Sequence, residues 1–88
     1  IEYDYLALAP GIEYDYSCWT GDKALEMRLR NEYPAAFVPG SEHATLKNKI
    51  INFQGGNFIF TVPAGNYRCL PAPYERACMV ADYFKSKS

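Results

Sequence analysis

With 88 residues, 49% of them hydrophobic and 16% aromatic, the chain has material for one small core and too little for two. Nine Lys and Arg against ten Asp and Glu leave a net charge of −1. That balance supplies no global field to steer the protein to double-stranded DNA or to an anionic membrane.

No apolar run approaches the roughly 20 residues of a membrane helix, and no signal peptide is visible. A single domain over residues 1–88 without a membrane span is therefore expected. The chain starts at Ile1 without a methionine, as a processed product, a trimmed chain or a fragment does. Cys18, Cys69 and Cys78 have no CxxC spacing, which argues against a zinc site and against a disulfide-stapled miniprotein. They read as reduced, partly buried thiols in a reducing compartment, the cytoplasm being favoured. One disulfide with a thiol left over, in a secreted or processed product, is the alternative.

The first segment carries an internal echo, IEYDYLALAPG at 1–11 followed by IEYDYSCWTGD at 12–22. Tyr and Ile favour strands and Pro10-Gly11 favours a bend, so two strands joined by a turn are expected. A period seen twice is not a repeat architecture.

In the next segment two rules disagree. KALEMRLRNEY, 23–33, consists of helix formers, and Asp22 or Thr20 would cap a helix ending before Pro34. Yet Leu25, Met27 and Leu29 alternate with Glu26, Arg28 and Arg30, which is a strand pattern. Folding the chain at Gly21-Asp22 sets Glu13 opposite Arg30 and Asp15 opposite Arg28, so acid meets base. A strand is preferred on this register, and a helix at 22–33 is the alternative.

Residues 35–38 read as a short strand and Pro39-Gly40 as the opening of a loop. The segment Lys49 to Val62, KIINFQGGNFIFTV, reads as a β-hairpin about Gly55-Gly56, since a Gly-Gly pair tolerates the positive φ of a primed turn. Its register puts Phe53 opposite Phe58 and gathers Ile51, Phe53, Phe58, Phe60 and Val62 on one face for a core. Asn52, Gln54, Asn57 and Thr61 then form an amide and hydroxyl face. A third strand follows at Tyr67 to Leu70. A closing helix over 73–85 starts at Pro73 and carries Tyr74, Ala77, Cys78, Ala81 and Phe84 at helical spacing.

The expected fold is therefore a β-rich α+β domain: an antiparallel sheet built on the 49–62 hairpin, with the 73–85 helix packed on it. With the extra helix at 22–33 the order becomes β-grasp-like.

Few residues point to chemistry. His43 is the only histidine, and no local hydrolase signature surrounds it or any cysteine. A hydrolase-like use of His43 with Cys18 or Cys69 ranks as a minor reading. Neither GxGxxG nor GxxxxGK[ST] occurs, and no metal or cofactor is expected.

The leading expectation is a non-catalytic protein-binding or assembly module, whose partner is another protein or a second copy. Its partner surface would draw on Tyr3, Tyr5, Glu13, Asp15, Asn52, Gln54, Asn57 and Thr61, because tyrosine is enriched at interfaces and acidic side chains favour basic partners. The alternative is single-stranded nucleic-acid binding through Lys47, Lys49, Tyr67 and Arg68.

Overall fold

The computed structural model describes residues 1–65 and 67–87. Three helices follow in order, α1 at Lys23–Glu32, α2 at Ser41–Ile51 and α3 at Ala72–Lys87. Among the described residues there is no β-strand. Among the described residues no helix is long and apolar enough to cross a membrane. The chain divides into two compact units, Ile1–Thr45 and Leu46–Ser88.

In the first unit the helix-forming residue types of 23–33 prevail over the alternation. Asp22 stands at the N-cap with extended backbone and accepts the Ala24 N–H at 2.8 Å, while its own N–H goes to the Thr20 hydroxyl at 2.9 Å. The helix ends at Tyr33, whose N–H reaches the Leu29 carbonyl at 3.0 Å, one residue before Pro34. Met27, the middle residue of the apparent strand pattern, is left 61% exposed. The less exposed side of α1 carries Glu26, Leu29 and Arg30, at the i, i+3, i+4 spacing of one helical face.

Residues 1–16 form no regular structure, so the expected N-terminal strand pair is absent. Residues 35–38 form no strand either. Ala36 there takes a left-handed φ of 55° and is 4% exposed, the one buried side chain described in this unit.

In the second unit the hairpin gives way to a helix. Lys49, Ile50 and Ile51 are the last turn of α2, and Asn52 N–H to Asn48 O at 3.0 Å and Phe53 N–H to Ile50 O at 3.3 Å continue its bonding pattern. The helix thereby takes away the first arm of the ribbon, and the sheet has nothing to build on. Gly55 and Gly56 do adopt positive φ, 132° and 99°, so the chain turns there without pairing. Ile51, Phe60 and Val62, expected in a core, are exposed. Phe53 and Phe58 meet edge to face at 5.4 Å and both contact Phe84, at 4.8 and 5.4 Å.

Of the third strand expected at 67–70, the described residues Tyr67 to Leu70 show only bends and a turn. The closing helix is present and slightly longer than 73–85, but it covers no sheet. Its less exposed side is Pro73, Arg76, Ala77, Val80 and Phe84, whereas Tyr74, Cys78 and Ala81, expected on the packed face, are exposed. Among the described residues of this unit the buried side chain is Val80, at 7%.

Candidate functional site

Two groups of residues concentrate the polar chemistry, one in each unit. In Ile1–Thr45 the centre is Tyr14. Its hydroxyl accepts the N–H groups of Phe37 and Val38, each at 2.7 Å, and donates to the Glu42 carboxylate. Loss of water around the ring, helped by the neighbouring Glu42 carboxylate, raises the Tyr14 phenol above its ordinary value.

Beside it, Arg30 joins Glu13 at 2.9 Å and Glu26 at 3.1 Å, donates to the Tyr14 carbonyl at 3.3 Å, and lies 4.8 Å over the Tyr16 ring. Hydrogen bonding to Arg30 holds the Glu13 and Glu26 carboxyls below their usual range. An open cleft of about 380 Å³ borders this group, lined by Tyr14, Asp15, Tyr16, Ser17, Thr20, Gly21, Lys23 and Glu26.

His43 belongs to the same unit. Its Nε2 stands 3.0 Å from the Ala36 carbonyl, an oxygen that only accepts, so this contact requires the tautomer with the proton on Nε2.

In Leu46–Ser88 the notable residue is Cys69. It holds a left-handed φ of 62°, uncommon for a residue with a side chain, and its thiol is free and exposed. Its carbonyl accepts the Ala72 N–H at 2.9 Å, which ties this turn to the first residue of α3. The Tyr67 hydroxyl donates to the Leu70 carbonyl at 3.4 Å across the same turn. Cys18 and Cys78 are also free and exposed, which replaces the expectation of partly buried thiols. Among the described residues no three His, Cys, Asp or Glu side chains come together as a metal site.

The sequence-derived surfaces are dispersed by the helical fold. Tyr3 and Tyr5 are exposed, Tyr5 at 96%. Glu13 is engaged by Arg30, and Asp15 is held below its usual range by bonding to Ser17, whose N–H it accepts at 2.9 Å. Asn52, Gln54, Asn57 and Thr61 are all exposed, but without a ribbon they share no ladder face. Lys47 and Lys49 lie two apart on α2, a spacing that sends side chains to different sides of a helix, and Arg68 is exposed on the turn before α3.

The Glu13–Arg30 pairing is one that the acid-to-base register anticipated, reached here by a helix rather than a strand. Sequence reasoning missed Tyr14, Glu42 and the strained backbone at Cys69. For Glu42 the signal was legible: Glu42, Leu46 and Ile50 follow i, i+4 and i+8 on one side of the helix α2, and Phe53 continues the spacing just past its end.

No solved structure matches the chain. Residues 43–88, just over half of it, match the family described as sulfide dehydrogenase (flavocytochrome c) flavoprotein chain, central. The matched stretch contains most of α2, the Cys69 turn and all of α3, and it leaves the cleft beside Tyr14 outside. On that match the chain belongs to the central-region family of the sulfide dehydrogenase (flavocytochrome c) flavoprotein chain.

Proposed function

We propose that the chain works as part of the flavoprotein chain of a sulfide dehydrogenase of the flavocytochrome c type, with Cys69 as the residue that meets sulfur derived from sulfide. The family match over 43–88, with Cys69 inside it, carries this reading. Three properties of Cys69 support it. The thiol is open to solvent, as a group that meets a small diffusing substrate must be. Its left-handed backbone costs about 1–3 kcal/mol, and such conformations cluster at functional sites. Its carbonyl accepts the Ala72 N–H at 2.9 Å, so the turn that carries the thiol is fastened to the first residue of α3.

Flavin binding is a separate matter. A dinucleotide cradle needs a glycine-rich turn between a strand and a helix. The sequence has no such fingerprint and the described residues no strand, so the residues present do not fit the flavin. What this chain's own residues do is hold a thiol at a fixed, accessible point.

The protein-contact reading is compatible with this role. Ile1, Tyr5, Leu8, Ile59 and Leu70 are all strongly exposed, and large exposed apolar side chains favour a protein partner. We infer that the segment works packed against further polypeptide, and native mass spectrometry at micromolar concentration is expected to detect association.

The test of the catalytic reading is Cys69→Ser in a flavoprotein chain carrying residues 1–88. Sulfide-dependent reduction of an electron acceptor should fall by orders of magnitude, while Cys18→Ser and Cys78→Ser stay near the parent. Unchanged turnover in Cys69→Ser would overturn the assignment.

A further inference from the structure

The pentapeptide IEYDY occurs at 1–5 and again at 12–16, and the two copies stand in different surroundings. The second is seated. Glu13 takes the Arg30 guanidinium, Arg30 also reaches the Tyr14 carbonyl, the Tyr14 hydroxyl joins the Phe37 and Val38 amides to Glu42, and the guanidinium covers the Tyr16 ring. Every one of these contacts is made by an atom that the first copy also possesses: Glu2 for Glu13, Tyr3 for Tyr14, Tyr5 for Tyr16. The first copy is exposed at all five positions, and among the described residues none of its side chains has a hydrogen bond or an ion pair.

We propose that the surface made by Arg30, Phe37, Val38 and Glu42 is a receptor for the IEYDY pentapeptide, and that residues 1–5 are a second ligand for it, exchanging with residues 12–16 inside one chain. The surface recognises a carboxylate, a phenol and a second aromatic ring at fixed spacing, through groups that do not distinguish the copies. The backbone bond of the small turn that follows the seated copy transfers as well, because Asp15 accepts from the backbone N–H of Ser17 and Leu6 offers the same group to Asp4, while the Ser17 side-chain bond to Asp15 has no counterpart at Leu6. Gly11, at φ 84° beside Pro10, lies in the segment that must reverse for the exchange and holds a conformation open to glycine.

Chain connectivity sets the balance. Residues 17–22 now join the motif to α1, and after exchange 6–22 would do so. Closing the longer loop disfavours the exchanged form by about five-fold. The resident copy therefore predominates, and the first copy takes the surface when the resident one is weakened.

The experiment reads amide hydrogen exchange at Phe37 and Val38, whose N–H groups the seated tyrosine hydroxyl accepts. Asn52, bonded to Asn48 in the other unit, serves as the check that the chain remains folded. Tyr3→Phe is expected to change nothing. Tyr14→Phe should raise the two rates by no more than about five-fold, the loop penalty. Tyr3→Phe with Tyr14→Phe should raise them further, to roughly ten-fold over the parent, because the hydroxyl acceptor is lost from both copies and only the 3.4 Å contact of Val38 N–H to Glu42 remains. Scrambling residues 1–5 in the Tyr14→Phe background should match the double variant. If Tyr14→Phe alone equals the double variant, or if scrambling has no effect, the proposal is wrong. Rescue that fades on dilution, with a dimer in the native mass spectrum, would also overturn it, because the ligand would then come from a second copy.

Discussion

In Ile1–Thr45 the groups that meet are charged or hydroxylic, Arg30 with Glu13 and Glu26 and Tyr14 with Glu42, whereas in Leu46–Ser88 they are rings, Phe53 and Phe58 against Phe84. Each unit has one buried apolar residue among those described, Ala36 and Val80, so neither relies on a large core. Electrostatic and hydrogen-bonded contacts depend on protonation and are screened by salt, while ring packing depends on neither. Two short stretches of one chain thus reach stability by routes that respond to different conditions.

The largest effect is expected where rings are removed. Phe84→Ala takes away the partner shared by Phe53 and Phe58 and should destabilise the second unit by about 2 kcal/mol, below the range for a fully buried phenylalanine because Phe84 is only half-buried. Residue-resolved hydrogen exchange would register it as lost protection in α3, with little change in α1. Equal losses in both would abolish the contrast between the units. Next comes the helix cap. Asp22→Ala frees the Ala24 N–H and should cost about 1 kcal/mol in α1, read as faster exchange across its first turn.

Acid should separate the units further. Glu13 and Glu26 have carboxyls lowered by Arg30, so the stability they contribute is full above their ordinary value of 4.5 and is lost as pH falls through the lower folded values. The first unit should therefore lose protection below about pH 4.5 while the Phe53 cluster keeps its own; Arg30→Met should remove most of that acid dependence. Tyr14 works in the opposite direction. Its raised phenol contributes stability that is full below the ordinary value of 10 and lost as pH rises through the folded one, so the first unit should also loosen in strong alkali. The smallest effect is that of salt. A high concentration should weaken the exposed Arg28–Glu32 and Lys23–Glu26 pairs only slightly, measurable as a minor shift in α1 protection and none in α3.

How far the sequence foretold this is best seen residue by residue. The closing helix was legible because Pro73 at its start and helical spacing as far as Phe84 agree. Its packed face was displaced, since Tyr74 and Cys78 fit the spacing but Arg76 and Val80 took the covered side. The helix α1 was legible in residue types and in Asp22, and was obscured by an alternation at Leu25, Met27 and Leu29 that is also consistent with a helix exposing Met27. The hairpin was not recoverable from local pattern. Ile50 and Ile51 favour strands, yet they end a helix begun ten residues earlier at Ser41, and Leu46 with Ile50 was the competing stripe. For the site, an acid-to-base register could suggest Glu13 with Arg30. The positive φ of Cys69 leaves no trace in residue type, because nothing in a cysteine announces left-handed backbone.

The last feature is a small one at the end of α3. The Lys87 ammonium donates to the Ile51 carbonyl at 2.6 Å and lies 5.8 Å from the Tyr83 ring. Ile51 is the last residue of α2, and helix ends leave carbonyls that need a donor. One cation therefore fastens the C-terminal turns of two helices, and neither can fray without releasing the other. Read as cooperativity, this makes the ends of α2 and α3 a single opening unit, so that acetylating one lysine should loosen backbone far away in sequence, around Asn52 as well as around Tyr83.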